Sequence, residues 1–117
     1  MSLPVNQIVQ GDCLEVMKQW PDKCVDVVIT DPPYGVNLGS HSKDYYASYD
    51  DTVENLQALI DGVWPELVRL ANRIVLTPGV KNMRLWPKPD HVGAIYYPSA
   101  TGCNPWGFSC WQPIYYY

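Results

Sequence analysis

Short runs of apolar, β-branched and aromatic residues recur along the chain at the length of β-strands. The run at 25–30 is almost entirely apolar, which is typical of a strand buried on both faces of a sheet. The run at 73–77 has the same character and ends at the turn-forming pair Pro78-Gly79. The strands predicted in this way are 5–10, 25–30, 73–77, 91–97 and 111–117.

Apolar positions at helical spacing fill the segment 56–71 and predict the main helix of the protein. Asp51 and Glu54 precede this segment and predict a capping box at its start. Pro65 is expected to kink or split the helix, because proline lacks the backbone N–H that an interior position donates. Shorter helical segments are predicted at 14–20 and 81–86.

The order of these elements determines the predicted fold class. Strand, helix and strand follow one another at the start of the chain, as in a parallel βαβ unit. Continued alternation predicts a single α/β domain over residues 1–117, folded as a three-layer sandwich. The chain has 117 residues, of which 47% are hydrophobic and 17% charged, as expected of one globular domain.

Charge is distributed unevenly along the chain. Residues 1–66 contain eleven acidic residues and three lysines, whereas residues 67–117 contain one acidic residue and five basic ones. The net charge of −4 argues against a dedicated nucleic-acid clamp but allows a local basic face in the second half. Lys81, Arg84 and Lys88 are candidate phosphate contacts there, although a plain solvated surface is the simpler interpretation for each of them.

Several functional classes are disfavoured by the composition. The four cysteines form no Cys-x-x-Cys pair and match no histidine at zinc-ligand spacing, so neither a metal site nor a disulfide framework is predicted. Reduced, partly buried thiols in a cytoplasmic protein are the simpler interpretation. The chain starts with no signal-peptide pattern, and prolines and polar residues interrupt the uncharged stretch after Asp90, so we expect no membrane association.

One segment carries candidate chemistry: residues 30–35, Thr-Asp-Pro-Pro-Tyr-Gly, directly after a predicted strand. In open α/β sheets, ligands bind beyond the carboxyl ends of the strands. Pro32 and Pro33 remove two backbone donors and stiffen the loop, so its carbonyl groups can only accept hydrogen bonds. The Asp31 carboxylate and the Pro32 carbonyl could each accept one hydrogen of an exocyclic amino group, and Tyr34 could stack on a base taken out of a duplex.

This segment lies in a context that closely resembles DNA amino-methyltransferases. The resemblance is carried by residues 8–15 (Ile-Val-Gln-Gly-Asp-Cys-Leu-Glu) and by residues 25–34, which end in Asp-Pro-Pro-Tyr, the DPPY motif. Enzymes of this family, some of them from restriction–modification systems, transfer a methyl group from S-adenosylmethionine to adenine N6 or cytosine N4. The resemblance implies the same reaction on a Rossmann-like fold, with DNA as the partner.

The resemblance also implies roles for single residues. The residues implied to be catalytic are Asp31, Pro32, Pro33 and Tyr34. The residues implied to contact the cofactor S-adenosylmethionine are Asp12, Cys13 and Asp31. Two alternatives stay open here, since Asp12 could also cap a helix and Cys13 could also serve only in packing.

The family pattern is followed incompletely in this chain. Segments 86–89 and 106–117 look like its later parts, but Gln112 stands where an acidic residue is common, which weakens any role assigned to it. The family also has a glycine-rich cofactor loop, and no Gly-x-Gly occurs here. The chain therefore resembles the catalytic first half of such an enzyme. We expect it, by itself, to be inactive, to bind the cofactor poorly and to self-associate as a homodimer or strand-exchanged oligomer.

The sequence identifies the substrate less specifically than it identifies the reaction. Adenine N6 is favoured because the Asp-first tetrapeptide is commoner among adenine enzymes, and a bacterial or phage-type cytoplasm is the expected location. Methylation of RNA or of a protein amide stays open, as does a non-catalytic module that binds nucleic acid or a partner subunit. Tyr45, Tyr46 and Tyr49, in a long polar loop, could stack on DNA or be surface aromatics without a function.

Overall fold

The computed structural model describes residues 3–36 and 51–117. The strands predicted at 25–30, 73–77, 91–97 and 111–117 and the main helix are confirmed, with small differences at their ends. In chain order, the elements are α1 (Cys13–Met17), β1 (Val25–Thr30), α2 (Val53–Leu70), β2 (Ala71–Leu76), a 3₁₀ turn (Met83–Leu85), β3 (His91–Tyr96), β4 (Gly102–Asn104), β5 (Gly107–Ser109) and β6 (Trp111–Tyr116).

Four of the strands form one mixed sheet in the order β1-β2-β6-β3. β1 and β2 are parallel, with Val28 opposite Ile74 and Thr30 opposite Leu76. β6 runs antiparallel to both of its neighbours, so β3 points in the same direction as β1 and β2. β4 and β5 form a separate antiparallel hairpin, which the hydrophobic pattern did not predict. The parallel βαβ unit is therefore β1-α2-β2, one helix later than predicted.

The prediction of a three-layer, Rossmann-like α/β sandwich is wrong. Regular structure in the described residues consists mostly of strands, in a mixed sheet and an antiparallel hairpin, with two α-helices. Residues 5–10 form no strand. α2 packs on the sheet through β2, and α1 lies against α2, whereas on the opposite face Ile29 is 80% exposed and Val27 is 45% exposed. An apolar run predicts a strand, but burial on both faces also requires a second covering layer, which the run itself cannot show.

The hydrophobic core lies between α2 and one face of the sheet. The contributing positions on α2 recur at helical spacing, and those on β2 include alternate residues, so each element presents one face to the other. The buried residues of this cluster are Leu56, Ile60, Leu67, Ala71, Ile74, Leu76, Trp86 and Tyr115.

The start of α2 is capped by Thr52. Its Oγ1 accepts a hydrogen bond of 3.1 Å from the backbone N–H of Asn55. The capping box predicted from Asp51 and Glu54 is therefore wrong, because the side chain of Asp51 hydrogen-bonds elsewhere in the fold. The Thr52 hydroxyl binds the N–H of Asn55, whereas the predicted box would have bound that of Glu54.

α2 is not split at Pro65 but continues to Leu70, which is buried. The far end of the helix is held by Lys23, whose Nζ donates hydrogen bonds of 2.7 Å to the carbonyl groups of both Val68 and Ala71. A cation at the C-terminus of a helix pairs with unsatisfied carbonyl groups and with the negative end of the helix dipole. Lys23 thus connects the end of α2 to the segment that leads into β1.

Two further properties of the described residues bear on the predictions. Within residues 3–36 and 51–117, neither helix has the length and apolar character needed to cross a membrane. All four cysteines are free thiols; Cys24 and Cys110 are half-buried, as predicted, whereas Cys13 and Cys103 are exposed.

Replacement of Leu56 by alanine is expected to lower the free energy of unfolding by about 2–5 kcal/mol, because the side chain is removed from a closed core. Leu56 has no exposed surface, whereas Val68 on the same helix is 45% exposed. A Val68→Ala control should therefore cost less than about 1 kcal/mol. Urea unfolding followed by circular dichroism measures both, and equal losses would contradict this placement of the core.

Candidate active site at the ends of the parallel strands

The predicted catalytic loop begins where β1 ends, beside the end of β2. Because Thr30 lies opposite Leu76, the residues that follow them, Asp31 and Thr77, are neighbours at the carboxyl edge of the sheet. The Thr77 hydroxyl donates a hydrogen bond of 2.5 Å to Oδ1 of Asp31. The Tyr34 hydroxyl donates a second one, of 2.6 Å, to the same oxygen. Oδ2 of this exposed carboxylate receives no hydrogen bond from the described residues.

Neighbouring residues fix both the backbone and the ring of Tyr34. Nδ2 of Asn82 donates to the carbonyl oxygen of Tyr34 at 2.6 Å and to that of Gly35 at 3.2 Å. The ring packs directly on Gly79, where an added Cβ would lie 2.8 Å from Cγ of Tyr34. Gly79 also has a φ of +73°, in the region that favours glycine. A glycine at this position is therefore required both by the turn and by the tyrosine ring.

The hydroxyl of Tyr34 is a donor at neutral pH. Burial, and then the hydrogen bond to Asp31, raise the pKa of Tyr34 to about 12, while the hydrogen bond with Thr77 lowers it in part. The protonated hydroxyl and the Thr77 hydroxyl fix the orientation of the carboxylate. The carboxylate is consequently preoriented before any ligand arrives, as electrostatic catalysis requires.

Asp51 connects the loop after β1 to the start of α2. Its side chain is buried, with 8% of the residue exposed. Oδ1 accepts a hydrogen bond of 2.8 Å from the N–H of Gly35, and Oδ2 accepts one of 3.2 Å from the N–H of Val36. Gly35 has a φ of +68°, and a Cβ there would lie 3.1 Å from Cδ2 of Leu56. The loop is thus fastened to the helix that forms the core.

The backbone of the two prolines bears on the predicted role of Pro32 as an acceptor. Pro32 and Pro33 are half-buried. The carbonyl group of Pro32 receives no hydrogen bond from the described part of the chain. Acceptance of a ligand hydrogen by this carbonyl group stays a prediction.

A cavity of about 560 Å³ lies beside Tyr34. This volume is within the range of about 300–1,000 Å³ that small-molecule sites occupy. Its wall is built from Tyr34, from Lys81 after β2, from the β4–β5 hairpin and from Gln112 in β6. Asp31 does not line the cavity but is joined to its wall through the Tyr34 hydroxyl.

The predicted cofactor residues Asp12 and Cys13 lie at the start of α1. Oδ1 of Asp12 accepts hydrogen bonds from the N–H groups of Leu14, at 2.9 Å, and Glu15, at 3.3 Å, which confirms the helix-cap alternative. Cys13 is exposed, so the packing alternative is not supported. Neither residue lines the cavity or shares a hydrogen bond with residues 31–34 in the described part of the chain. Their contacts with a cofactor stay predictions.

The remaining sequence candidates are distributed over several places. The three candidate phosphate contacts, Lys81, Arg84 and Lys88, are all exposed, and of these Lys81 lines the cavity. Trp86 is buried in the core instead of contributing to a site. The loop tyrosines Tyr45, Tyr46 and Tyr49 lie outside the described residues.

The sequence did not single out Thr77, Asn82 or Asp51 as parts of the site. A signal for Thr77 was present, because it follows a predicted buried strand just as Asp31 does. Asn82 and Asp51 carried no such signal, since their partners are backbone groups far away in the sequence. These three residues position the loop without belonging to its motif.

Comparison with known proteins identifies a relative over part of the chain. The protein named "Putative methylase YubD", from Escherichia coli (strain K12), is 47% identical to it over 34 residues. These residues are 29% of this chain and 15% of that relative. No protein-family model matches the chain. The similarity supports a methyltransferase in general and no finer activity.

Between pH 10 and pH 12, the wild type is expected to lose stability that a Tyr34→Phe variant does not lose. The pKa of Tyr34 in the folded state, about 12, lies above its ordinary value of 10.0, so the hydroxyl ionises first in the unfolded chain. The stabilisation that it contributes is therefore complete below pH 10 and is lost as the pH rises through about 12. Urea unfolding at a series of pH values measures the difference between the two proteins. A difference that stays constant up to pH 12 would contradict the burial and hydrogen bonding of this hydroxyl.

Proposed function

We propose that this chain supplies the catalytic segment of an S-adenosylmethionine-dependent DNA amino-methyltransferase, with adenine N6 as the favoured target. The observation that carries the proposal is the geometry of Asp31. Its carboxylate lies at the carboxyl edge of two parallel strands, is held through Oδ1 by Tyr34 and Thr77, and has Oδ2 open to a ligand. The partial similarity to a protein named as a methylase supports the same class of reaction.

The arrangement suits a weakly nucleophilic amino group. The lone pair of an exocyclic nitrogen is delocalised into the ring of the base. Acceptance of its two hydrogens by Oδ2 of Asp31 and the carbonyl oxygen of Pro32 favours a pyramidal nitrogen with a localised lone pair. S-adenosylmethionine, when bound, would supply the methyl group to this lone pair, and Oδ2 of Asp31 would accept the proton that the nitrogen loses. Orientation and fixed charge supply the rate enhancement.

The described residues fit S-adenosylmethionine in part. The cofactor, when bound, supplies a methyl group on a positively charged sulfur. Asp12 has one carboxylate oxygen, Oδ2, that receives no hydrogen bond from the described residues and can accept one from a ribose hydroxyl. The chain contains no Gly-x-Gly segment for the other end of the cofactor. In this proposal, that part of the site comes from a polypeptide segment outside these 117 residues.

Tyr34 is proposed to provide the surface on which the base lies. Its ring is packed on Gly79 and lines the cavity, so it offers a rigid aromatic wall to a base that has left the duplex. Lys81 lines the same cavity and supplies a positive charge for a phosphate group. The choice of DNA as the substrate class is supported by the family resemblance and by this pairing of an aromatic ring with a cation.

A second candidate function is nucleic-acid binding without catalysis. It is favoured by two aromatic side chains on the β4–β5 hairpin, Trp106 and Phe108, which are 99% and 78% exposed. Exposed aromatic rings can stack on unpaired bases of DNA or RNA without any reaction. A module of this kind would not need the oriented carboxylate of Asp31.

A methyl-transfer assay distinguishes the two candidates. The 117-residue chain is mixed with the glycine-rich cofactor segment of an amino-methyltransferase, supplied as a second polypeptide, and with radiolabelled S-adenosylmethionine. Duplex DNA, RNA and a glutamine-containing peptide are compared as acceptors. We expect incorporation into adenine of DNA, and a loss of about 100-fold or more in an Asp31→Ala variant.

The matched control is Asp26→Ala, which removes an exposed carboxylate near the start of β1, five residues before Asp31. It should retain activity within about twofold, since surface charges far from the reacting atoms contribute little. Duplex binding should be the same for both variants, because Asp31 is proposed to act on an amino group. Equal activity of the Asp31→Ala variant and the wild type would remove Asp31 from the mechanism, and binding of DNA with no methyl transfer would favour the second candidate.

A further inference from the structure

Gln112 lies on β6, the strand next to β2 in the sheet, and comes close to the candidate site. In the antiparallel pair of β2 and β6, Leu76 lies opposite Tyr115. Gln112 is three residues closer to the start of β6, so it lies beyond the carboxyl end of β2, on the edge where Asp31 and Thr77 are found. Its backbone pairs with Ile95 of β3, which fixes its position in the sheet.

Oε1 of Gln112 is unsatisfied, unlike the side chains of Thr101 and Asn104 beside the same cavity. Oε1 of Gln112 is shielded from solvent and has no hydrogen-bond partner among the described residues. In contrast, the Thr101 hydroxyl donates to the backbone carbonyls of Ser109 and Trp111, and Oδ1 of Asn104 accepts from the N–H of Trp106. A buried polar atom without a partner destabilises the free protein. When the Gln112 amide turns towards a ligand, Oε1 therefore loses no existing hydrogen bond.

We propose that Gln112 determines which base the cavity accepts, by pairing its amide with the polar edge of that base. This inference rests on the proposed function, because it takes the cavity beside Tyr34 as the place where the target base lies. Gln112 acts as a specificity residue and not as a catalytic one. The departure from an acidic residue at this position then becomes part of the function instead of an argument against it.

The chemistry of an amide matches the edge of an aminated base. Adenine and cytosine present a ring-nitrogen acceptor next to the amino group. Because Asp31 and Pro32 are proposed to accept the two amino hydrogens, the ring nitrogen is the group left for Gln112, and Nε2 of the amide can donate to it. With Nε2 turned towards the base, Gln112 donates to that ring nitrogen, whereas a base that carries a hydrogen there would meet a second donor. A carboxylate at position 112 could only accept, and it would disfavour a ring nitrogen that lacks a hydrogen.

The test compares two nucleosides that differ at this edge. Adenosine has an unprotonated N1, whereas inosine has an N1–H donor. Binding of each to the complete 117-residue chain is followed by NMR, with the side-chain amide resonances of Gln112 as a local probe. The variants are Gln112→Glu, which can only accept, and Gln112→Met, which has a similar shape and forms no comparable hydrogen bond. The control is Gln57→Met, which removes the hydrogen bond from Gln57 to Asp61 on α2.

We expect the Gln112 amide resonances to shift on addition of adenosine to the wild type. The ratio of adenosine affinity to inosine affinity should fall by roughly tenfold in Gln112→Glu, as expected when one hydrogen bond to a base edge is lost and another gained. Gln112→Met should weaken the binding of adenosine and not that of inosine, because it removes the donor to N1, and Gln57→Met should change neither affinity. A merely structural role of Gln112 would reduce both affinities together in Gln112→Glu and leave their ratio unchanged.

The outcomes separate this inference from the proposed function. An unchanged ratio in Gln112→Glu overturns the role of Gln112, whatever the methyl-transfer assay gives. Wild-type chain that binds neither nucleoside at millimolar concentration overturns it as well. If methyl transfer depends on Asp31 and the ratio of adenosine affinity to inosine affinity is unchanged, the proposed function is supported and the role of Gln112 is not. A shifted ratio without methyl transfer supports Gln112 as a base-reading residue in a protein that does not catalyse the reaction.

Discussion

Thr30 lies opposite Leu76 in the parallel pair of β1 and β2, and this register places Asp31 and Thr77 next to each other. In a parallel pair both strands end at the same edge, so the residues that follow them can meet without a long loop. A shift of one residue would turn the side chains of β1 to the opposite face of the sheet and separate the pair. The orientation of the Asp31 carboxylate, and with it the proposed chemistry, depends on this one register.

The register alone does not hold the loop that follows β1. Asp51 binds two successive backbone N–H groups of that loop, at Gly35 and Val36, and directly precedes the cap of α2. Asn82 binds two carbonyl groups of the same loop from the other side, and Gly79 lets the Tyr34 ring approach the backbone. Because α2 is packed on β2 through the core, these contacts fasten the loop to the most buried part of the protein. Stability of the core and geometry of the site are therefore coupled.

The sequence predicted what local pattern can determine. Four strands and α2 were found from apolar runs and helical spacing, and the Asp31 loop was placed correctly after β1. The partners of that loop were missed, since Asp51 and Asn82 act through contacts with sequence separations of 15 to 48 residues. The layer arrangement was wrong for a related reason: Ile29 belongs to an apolar run, yet it is exposed because nothing in such a run specifies a covering element. Asp51 was read as a helix cap because its loop partner is remote in sequence.

Charge limits how a site of this kind could recognise DNA. Protein–DNA affinity grows with the number of phosphate contacts made by cations, and residues 1–66 carry a large excess of acidic groups. Lys81 lines the cavity, and Arg84 and Lys88 are exposed further along the same segment, so few phosphate contacts are available there. The attraction to the DNA backbone is then weak and depends weakly on salt. Discrimination between bases therefore depends on contacts with the base itself. In the proposed function, those contacts come from the same place as the chemistry: Asp31 on the amino group, Tyr34 on the face of the ring, and Gln112 on the edge that distinguishes one base from another.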